Sequence, residues 1–259
     1  MKSISIIGAG NVAWHLAPAL DNTDFSVREV YSRKEAHAAE LVSRLYNAEA
    51  KSSTDFSESR SDIFILTVTD DALEEVAGSL ILPPHALLVH TSGSQPLEIL
   101  ETADTPRIGV FYPLQTFSKG KKVDFKETPI FVEGREKRIE TELLSMAKAI
   151  SAHAYKISSE KRKALHMAAA FACNFTNYML LLAQEIMKRN KLDYAWLKPL
   201  IAETINKSMD IGPEKAQTGP ARRGDVETLD KHMELLEYDE DLAEIYRLIS
   251  QHILNRYES

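Results

Sequence analysis

Six residues near the N-terminus, Gly8-Ala9-Gly10-Asn11-Val12-Ala13, constrain this chain more than any other feature. They follow an apolar, β-rich run over 3–7 and open a helical pattern over 12–20. In that context each small residue has its own physical task. Gly8 permits a tight turn, Gly10 lets the backbone approach a pyrophosphate, and Ala13 allows close packing of helix on strand. The helix start at Asn11, Val12 and Ala13 then offers unpaired N–H groups to an anion. The spacing therefore predicts a dinucleotide site, and the competing reading is a glycine turn that binds nothing.

The rest of the first 150 residues repeats the same alternation, which predicts βαβ units and a parallel sheet. Strands are expected over 3–7, 26–31, 48–51, 63–67, 86–90, 107–111 and 129–132, with helices over 12–20, 34–45, 71–79 and 136–150. Pro18 should kink or shorten the first helix, because it deletes the hydrogen bond to the Trp14 carbonyl. A last short strand over 154–157 precedes four helices alone, over 159–190, 194–211, 225–236 and 240–257. The fold class that follows is α/β, a doubly wound parallel-sheet Rossmann domain over 1–157 and a smaller all-α domain over 158–259.

Cofactor choice is legible where the second strand ends. An NAD-specific protein places a carboxylate there for the ribose hydroxyls; this chain has Ser32, then Arg33 and Lys34. Arginine can hydrogen-bond a 2′-phosphate that a carboxylate would repel, so NADP is favoured over NAD. The alternative is that both cations are simply solvated at a helix start. Ligands of open parallel sheets lie beyond the carboxyl ends of the strands. The residues there are Val68-Thr69-Asp70, Thr91-Ser92-Gly93-Ser94 and Tyr112-Pro113-Leu114-Gln115-Thr116, suited to the nicotinamide and to a substrate. Singly, each segment also reads as turn chemistry.

In the helical part, Lys163, His166 and Asn174 stand out from an apolar run. On an unbroken α-helix Lys163 and Asn174 share a face, with His166 roughly 60° round from Lys163. One helix could present a cation, a titratable ring and an amide, although a lone histidine there can equally be a satisfied core residue. Arg222 and Arg223 lie between glycines in a loop, where they could clamp a carboxylate or phosphate or else pair with surface acids. No metal-binding spacing is present, so no metal is expected.

Composition sets limits on the partners. The net charge of −7 argues against broad nucleic-acid binding. Much of it is local, since 225–244 holds nine acids and one lysine. The single cysteine, Cys173, excludes an intrachain disulfide and fits a reducing cytoplasm. The apolar stretch at the start is too short for an export signal. The run over 165–183 tempts a membrane reading but contains His166, Asn174, Thr176 and Asn177, so a buried helix is expected instead.

Several motifs together resemble a known family. They are Gly8-Ala9-Gly10-Asn11-Val12-Ala13, His90-Thr91-Ser92-Gly93, Tyr112-Pro113-Leu114-Gln115-Thr116-Phe117, His166 with Asn174-Phe175, and Thr218-Gly219-Pro220 leading to Arg223-Gly224-Asp225. Over essentially the whole chain the layout resembles Rossmann-like NADP oxidoreductases with a helical C-terminal domain of unknown function, related to pyrroline-5-carboxylate reductase and ketopantoate reductase. The resemblance implies an NADP-binding domain, a helical domain forming a homodimer, and a cleft between them for a small-molecule substrate. The expected activity is hydride transfer between NADPH and a small carbonyl or imine, with His166 or Lys163 as proton donor. Asn174 would orient the substrate and Arg222 or Arg223 bind its acidic group. The alternative class is an NADP-binding module without turnover, acting through dimer or partner contacts.

Overall fold

The computed structural model describes residues 2–257. Contacts divide the chain into two units, Met1–Asn174 and Phe175–Ser259. Secondary structure changes character earlier, after the last strand, but the helix that follows is tied to the sheet by a buried arginine and so belongs to the first unit.

That unit is one eight-stranded sheet in the order β3-β2-β1-β4-β5-β6-β7-β8. The strands are β1 Lys2–Ile7, β2 Phe25–Tyr31, β3 Glu49–Lys51, β4 Ile63–Leu66, β5 Leu87–His90, β6 Ile108–Pro113, β7 Ile130–Gly134 and β8 Ala154–Lys156. The chain builds outward from β1 to β3 and returns on the other side at β4. The crevice of a doubly wound sheet opens at that reversal, between β1 and β4. All eight expected strands are present. One expectation fails: β7 runs antiparallel to β6, so the sheet is mostly rather than wholly parallel. The connection between those two strands carries only a short 3₁₀ turn, Phe125–Glu127, and lacks the crossover helix that a parallel neighbour requires.

Strand side chains alternate between two cores, as the two-residue period of a strand dictates. Ile4, Ile6, Ile63, Ile65, Leu87, Val89 and Phe111 face one side, covered by α1 (Asn11–Asp21), α2 (Glu35–Val42) and α4 (Lys137–Ile150). Phe64, Leu66, Leu88, Val110 and Tyr112 face the other, under α3 (Leu73–Ser79) and the turn Leu97–Thr102. Pro18 does not end α1, which continues to Asp21. The Trp14 carbonyl that proline leaves without an intrahelical donor accepts from the Arg44 guanidinium, whose carbon sits 4.0 Å over the Trp14 ring.

The helix over 159–190 is not the buried helix expected. It comprises α5 (Ser159–Ala169), a π-helical turn (Ala170–Phe175) and α6 (Thr176–Arg189). Among the described residues it is the one helix long and apolar enough to cross a membrane, and its most apolar window is wholly unburied. Apolar composition alone does not distinguish a helix covered by its own chain from one whose apolar side faces outward. In the second unit, α7 (Lys198–Ile211), α8 (Pro213–Ala216), α9 (Pro220–Arg223), α10 (Val226–Leu235) and α11 (Glu240–Tyr257) follow α6. His232 on α10 bonds the Tyr246 hydroxyl on α11 through Nδ1 at 2.7 Å.

Candidate active site

A cleft of about 420 Å³ opens at the sheet reversal, lined by the turn after β1, the end of β2 with the start of α2, and the segment after β4. Gly8 stands there at φ +106°, and a Cβ on it would lie 2.8–2.9 Å from Thr67, two of the three contacts being backbone. Only glycine fits. Thr67 locks the turn further, its hydroxyl donating to the Gly8 carbonyl at 3.0 Å. Gly10 differs, because a Cβ there would meet no protein atom closer than 3.8 Å. Packing does not demand that glycine, and the free space is what an approaching pyrophosphate uses. Helix α1 begins at Asn11 with no side-chain cap and no acid in its first turn, while Ala13 is fully buried. Unpaired N–H groups and the positive end of the dipole therefore remain available to an anion. These residues fit a dinucleotide.

Ser32, Arg33 and Lys34 line the same cleft, as do Val68 and Thr69. Sequence reasoning missed His37, also in the lining. It lies one turn beyond Lys34 on α2, and that spacing was the available signal. No Asp or Glu is among the lining residues. Asp70 is engaged elsewhere, accepting from the Ser94 hydroxyl.

The loop after β5, expected to face the nicotinamide, is held in shape by its own hydrogen bonds. Thr91 bonds the Leu66 carbonyl through both N–H and hydroxyl, at 3.2 and 3.1 Å. The Ser92 hydroxyl accepts from the N–H groups of Ser94 and Gln95 at 3.1 and 3.0 Å, so it shapes a turn. His90 beneath the loop is fully buried, and its Nδ1 accepts from the Ser92 N–H at 3.1 Å. The ring hydrogen therefore sits on Nε2, which meets no acceptor in good hydrogen-bond geometry among the described residues. Burial, helped by the Arg162 charge, lowers the His90 pKa to about 3, so the ring stays neutral at physiological pH.

Against this loop stands a pair that the sequence named in separate roles. The Tyr112 hydroxyl lies 3.0 Å from His166 Nδ1, and the rings meet edge to face at 5.9 Å. Gly93 closes the third side, where a Cβ would come within 2.6–2.8 Å of both rings. Tyr112 is 8% exposed, and burial first of all pushes its phenol up to about 12, so it stays protonated. His166 is open to solvent.

The pair is assembled by an ion pair between a fully buried arginine and a half-buried glutamate that sequence reasoning did not find. In the antiparallel register Tyr112 opposes Phe131 and Val110 opposes Glu133, which puts Tyr112 and Glu133 on one face of the sheet. Helix α5 presents Arg162 and His166, one turn apart, to those two partners. The Arg162 side chain is fully buried and pairs with Glu133 Oε2. It also donates to the Gln95 carbonyl, which anchors the loop. The Ser159 N–H and hydroxyl each donate to Glu133 at 2.8 Å.

Other expected residues stand apart. Lys163 and Asn174 are exposed, and the π-helical turn breaks the regular α spacing that would have put them on one face. Gln115 and Thr116 are exposed and bond each other, with the Gln115 side-chain oxygen accepting from the Thr116 N–H at 2.8 Å. Arg222 and Arg223 belong to the second unit. Arg222 stacks on Tyr257 and Arg223 lies 3.9 Å from Asp225.

Comparison with known proteins bears on this geometry. A Bacteroides fragilis protein that bears the provisional name of an NADP oxidoreductase is 39% identical, with 98% of each chain covered and a TM-score of 0.90. The chain belongs to its family. Residues 3–92 match the profile described as NADP oxidoreductase, coenzyme F420-dependent, and residues 128–253 match a domain of unknown function, DUF2520. More distant proteins share the fold. A Thermotoga maritima protein is 24% identical over 98% of each chain, with a TM-score of 0.73. The 1-pyrroline-5-carboxylate reductase of Streptococcus pyogenes is 12% identical over 98% of each chain, with a TM-score of 0.62. These two likenesses show the fold alone. No protein of curated function matches the chain. Family and fold together give the chain the pyridine-nucleotide-binding fold of an oxidoreductase family.

Proposed function

We propose that this protein transfers hydride between NADPH and a small carbonyl or imine. The observation that carries the cofactor choice is the cleft mouth, where Ser32, Arg33, Lys34 and His37 meet with no carboxylate in the lining. A 2′-phosphate suits that surface, whereas ribose hydroxyls alone would leave the cations unused. Bound there, NADPH supplies the hydride. Gly8 and Gly10 shape the turn that receives its pyrophosphate, and the first turn of α1 hydrogen-bonds it. His166 is the proton donor: as the imidazolium it carries a hydrogen on each ring nitrogen, Nδ1 donating to the Tyr112 oxygen 3.0 Å away and Nε2 giving up its proton, which leaves the ring neutral. Delivering that proton to the reduced oxygen or nitrogen neutralises the charge left by hydride addition. Tyr112 is a positioning residue in this scheme, and Gly93 keeps both rings in register.

Arg33→Ala tests the cofactor reading. It should weaken NADPH binding about tenfold or more, the worth of one charge-assisted hydrogen bond, and leave NADH nearly unchanged. Titration calorimetry with both nucleotides reads the difference; equal affinity of the native protein for the two would sink the NADP assignment.

A second copy of the chain is the proposed cover for the unburied apolar residues of the long helix, among them Met167, Phe171 and Leu181. Large contiguous apolar patches are rare on soluble monomers. Sedimentation at micromolar concentration should give twice the mass of one chain, and a single-chain mass would refute the dimer.

A further inference from the structure

The second unit contains its own cleft, of about 700 Å³, formed by the turn that leads into and out of α9 together with the last helix. Arg222 and Arg223 line it with Gln217, Thr218, Leu254 and Tyr257, and among the described residues the lining holds no Asp or Glu. Among the described residues Arg222 has no acid within 4.0 Å, and Arg223 has one, Asp225. Arg222 lies 4.1 Å over the Tyr257 ring, and the Tyr257 hydroxyl is itself fixed by donating to the Glu214 carbonyl at 3.0 Å. Stacking uses the face of a guanidinium and leaves its N–H edges free. Among the described residues no acceptor meets those edges. Arg223 has one acid nearby, Asp225, at 3.9 Å. That carboxylate is committed to capping α10, one oxygen accepting from the Thr228 N–H at 3.1 Å and the other from its hydroxyl at 2.8 Å.

The glycines of the turn keep the wall open. Gly219 and Gly224 stand at φ +104° and +69°, and a Cβ on either would meet nothing within 4 Å. Their backbone conformation, and not packing, is what demands glycine. Two guanidinium groups thus face one cleft in a chain of net charge −7, and of the acid-rich stretch 225–244 only Asp225 comes within 4.0 Å of either among the described residues. A planar anion held by such forks gains charge-assisted, directional hydrogen bonds. Size and the apolar wall narrow its class. At roughly 30 Å³ per water, an inorganic ion would leave most of this volume to solvent and would gain nothing from Leu254 or Tyr257.

We infer that this cleft binds a small organic acid, its carboxylate on Arg222 and Arg223 and its apolar body on Leu254 and Tyr257. The inference is independent of hydride transfer, because it requires neither the nucleotide nor turnover.

Titration calorimetry on the full chain tests it with benzoate, hexanoate, benzyl alcohol and inorganic phosphate as probes. Benzoate and hexanoate should bind, with benzyl alcohol and phosphate each at least about tenfold weaker. Arg222→Gln and Arg223→Gln should each reduce benzoate affinity about tenfold while NADPH affinity stays unchanged; Arg223→Gln leaves the Tyr257 stack intact, so its result does not depend on preserving that contact. The inference is overturned by absent benzoate binding, by benzyl alcohol or phosphate binding as tightly as benzoate, or by unchanged benzoate affinity in both variants. It is also overturned if the variants alter sedimentation mass but not benzoate affinity, which would make the arginines a contact between copies. Loss of NADPH binding in the native protein would instead refute the proposed function and leave this cleft untouched.

Discussion

Glu133→Ala should lower the unfolding free energy of the first unit by about 3–5 kcal/mol, the range for leaving a buried charge without its partner. Arg162 is fully buried, and its strongest anionic partner is the Glu133 carboxylate. Without it the guanidinium keeps the Gln95 carbonyl and the Ser159 hydroxyl, neither of which carries charge to offset desolvation. The same carboxylate accepts two bonds from Ser159, so the start of α5 loosens as well. Urea unfolding followed through Trp14 fluorescence, in a Trp196→Phe background, measures the effect. Adding Arg162→Met should recover part of the loss, because the uncompensated charge goes with it. A loss below about 1 kcal/mol would show that the pair is solvated.

The consequence reaches the site. Arg162 holds the Gln95 end of the loop whose Gly93 packs against His166 and Tyr112. Stability and catalytic geometry are therefore linked through one helix turn.

His166→Ala is the second large expectation. Removing a general acid typically costs about 10²–10⁴-fold in rate, and kcat should fall by that much while NADPH affinity is retained. Tyr112→Phe should have a smaller effect, about tenfold, because it removes the bond that orients the ring and not the donor itself. The loss should fall on kcat with KM nearly unchanged, since His166 loses the contact that orients its ring. NADPH absorbance across a panel of keto acids and cyclic imines reads both variants. Turnover within about threefold of native in His166→Ala would show that another group, or water, supplies the proton.

The strands were legible because each is a short apolar run bounded by turn residues, and Gly8 because only one backbone conformation suits a turn so close to Thr67. The reversal of β7 was less so: its signal was the absence of a helical pattern between 111 and 129, and an absence is easily passed over. Glu133 could not be picked out at all, since nothing in its neighbours says that a strand-end acid meets an arginine 29 residues on. Lys163 drew attention as a cation among apolar residues, but the functional face of α5 is the one with Arg162 and His166. The helical arithmetic that joined Lys163 to Asn174 assumed a regular helix, and local sequence gives little warning of a π-helical turn. His37 shows the reverse, a residue within reach of simple spacing that was overlooked.

The central claim is tested most directly by isotope transfer. NADPH carrying deuterium at both C4 positions is incubated with the native protein and the keto acid or cyclic imine that turns over fastest, and the product is examined by mass spectrometry. The product should be one mass unit heavier than from unlabelled NADPH, formed in step with NADP appearance and nearly abolished in His166→Ala. A panel in which no member consumes bound NADPH, or a product without deuterium, would contradict it.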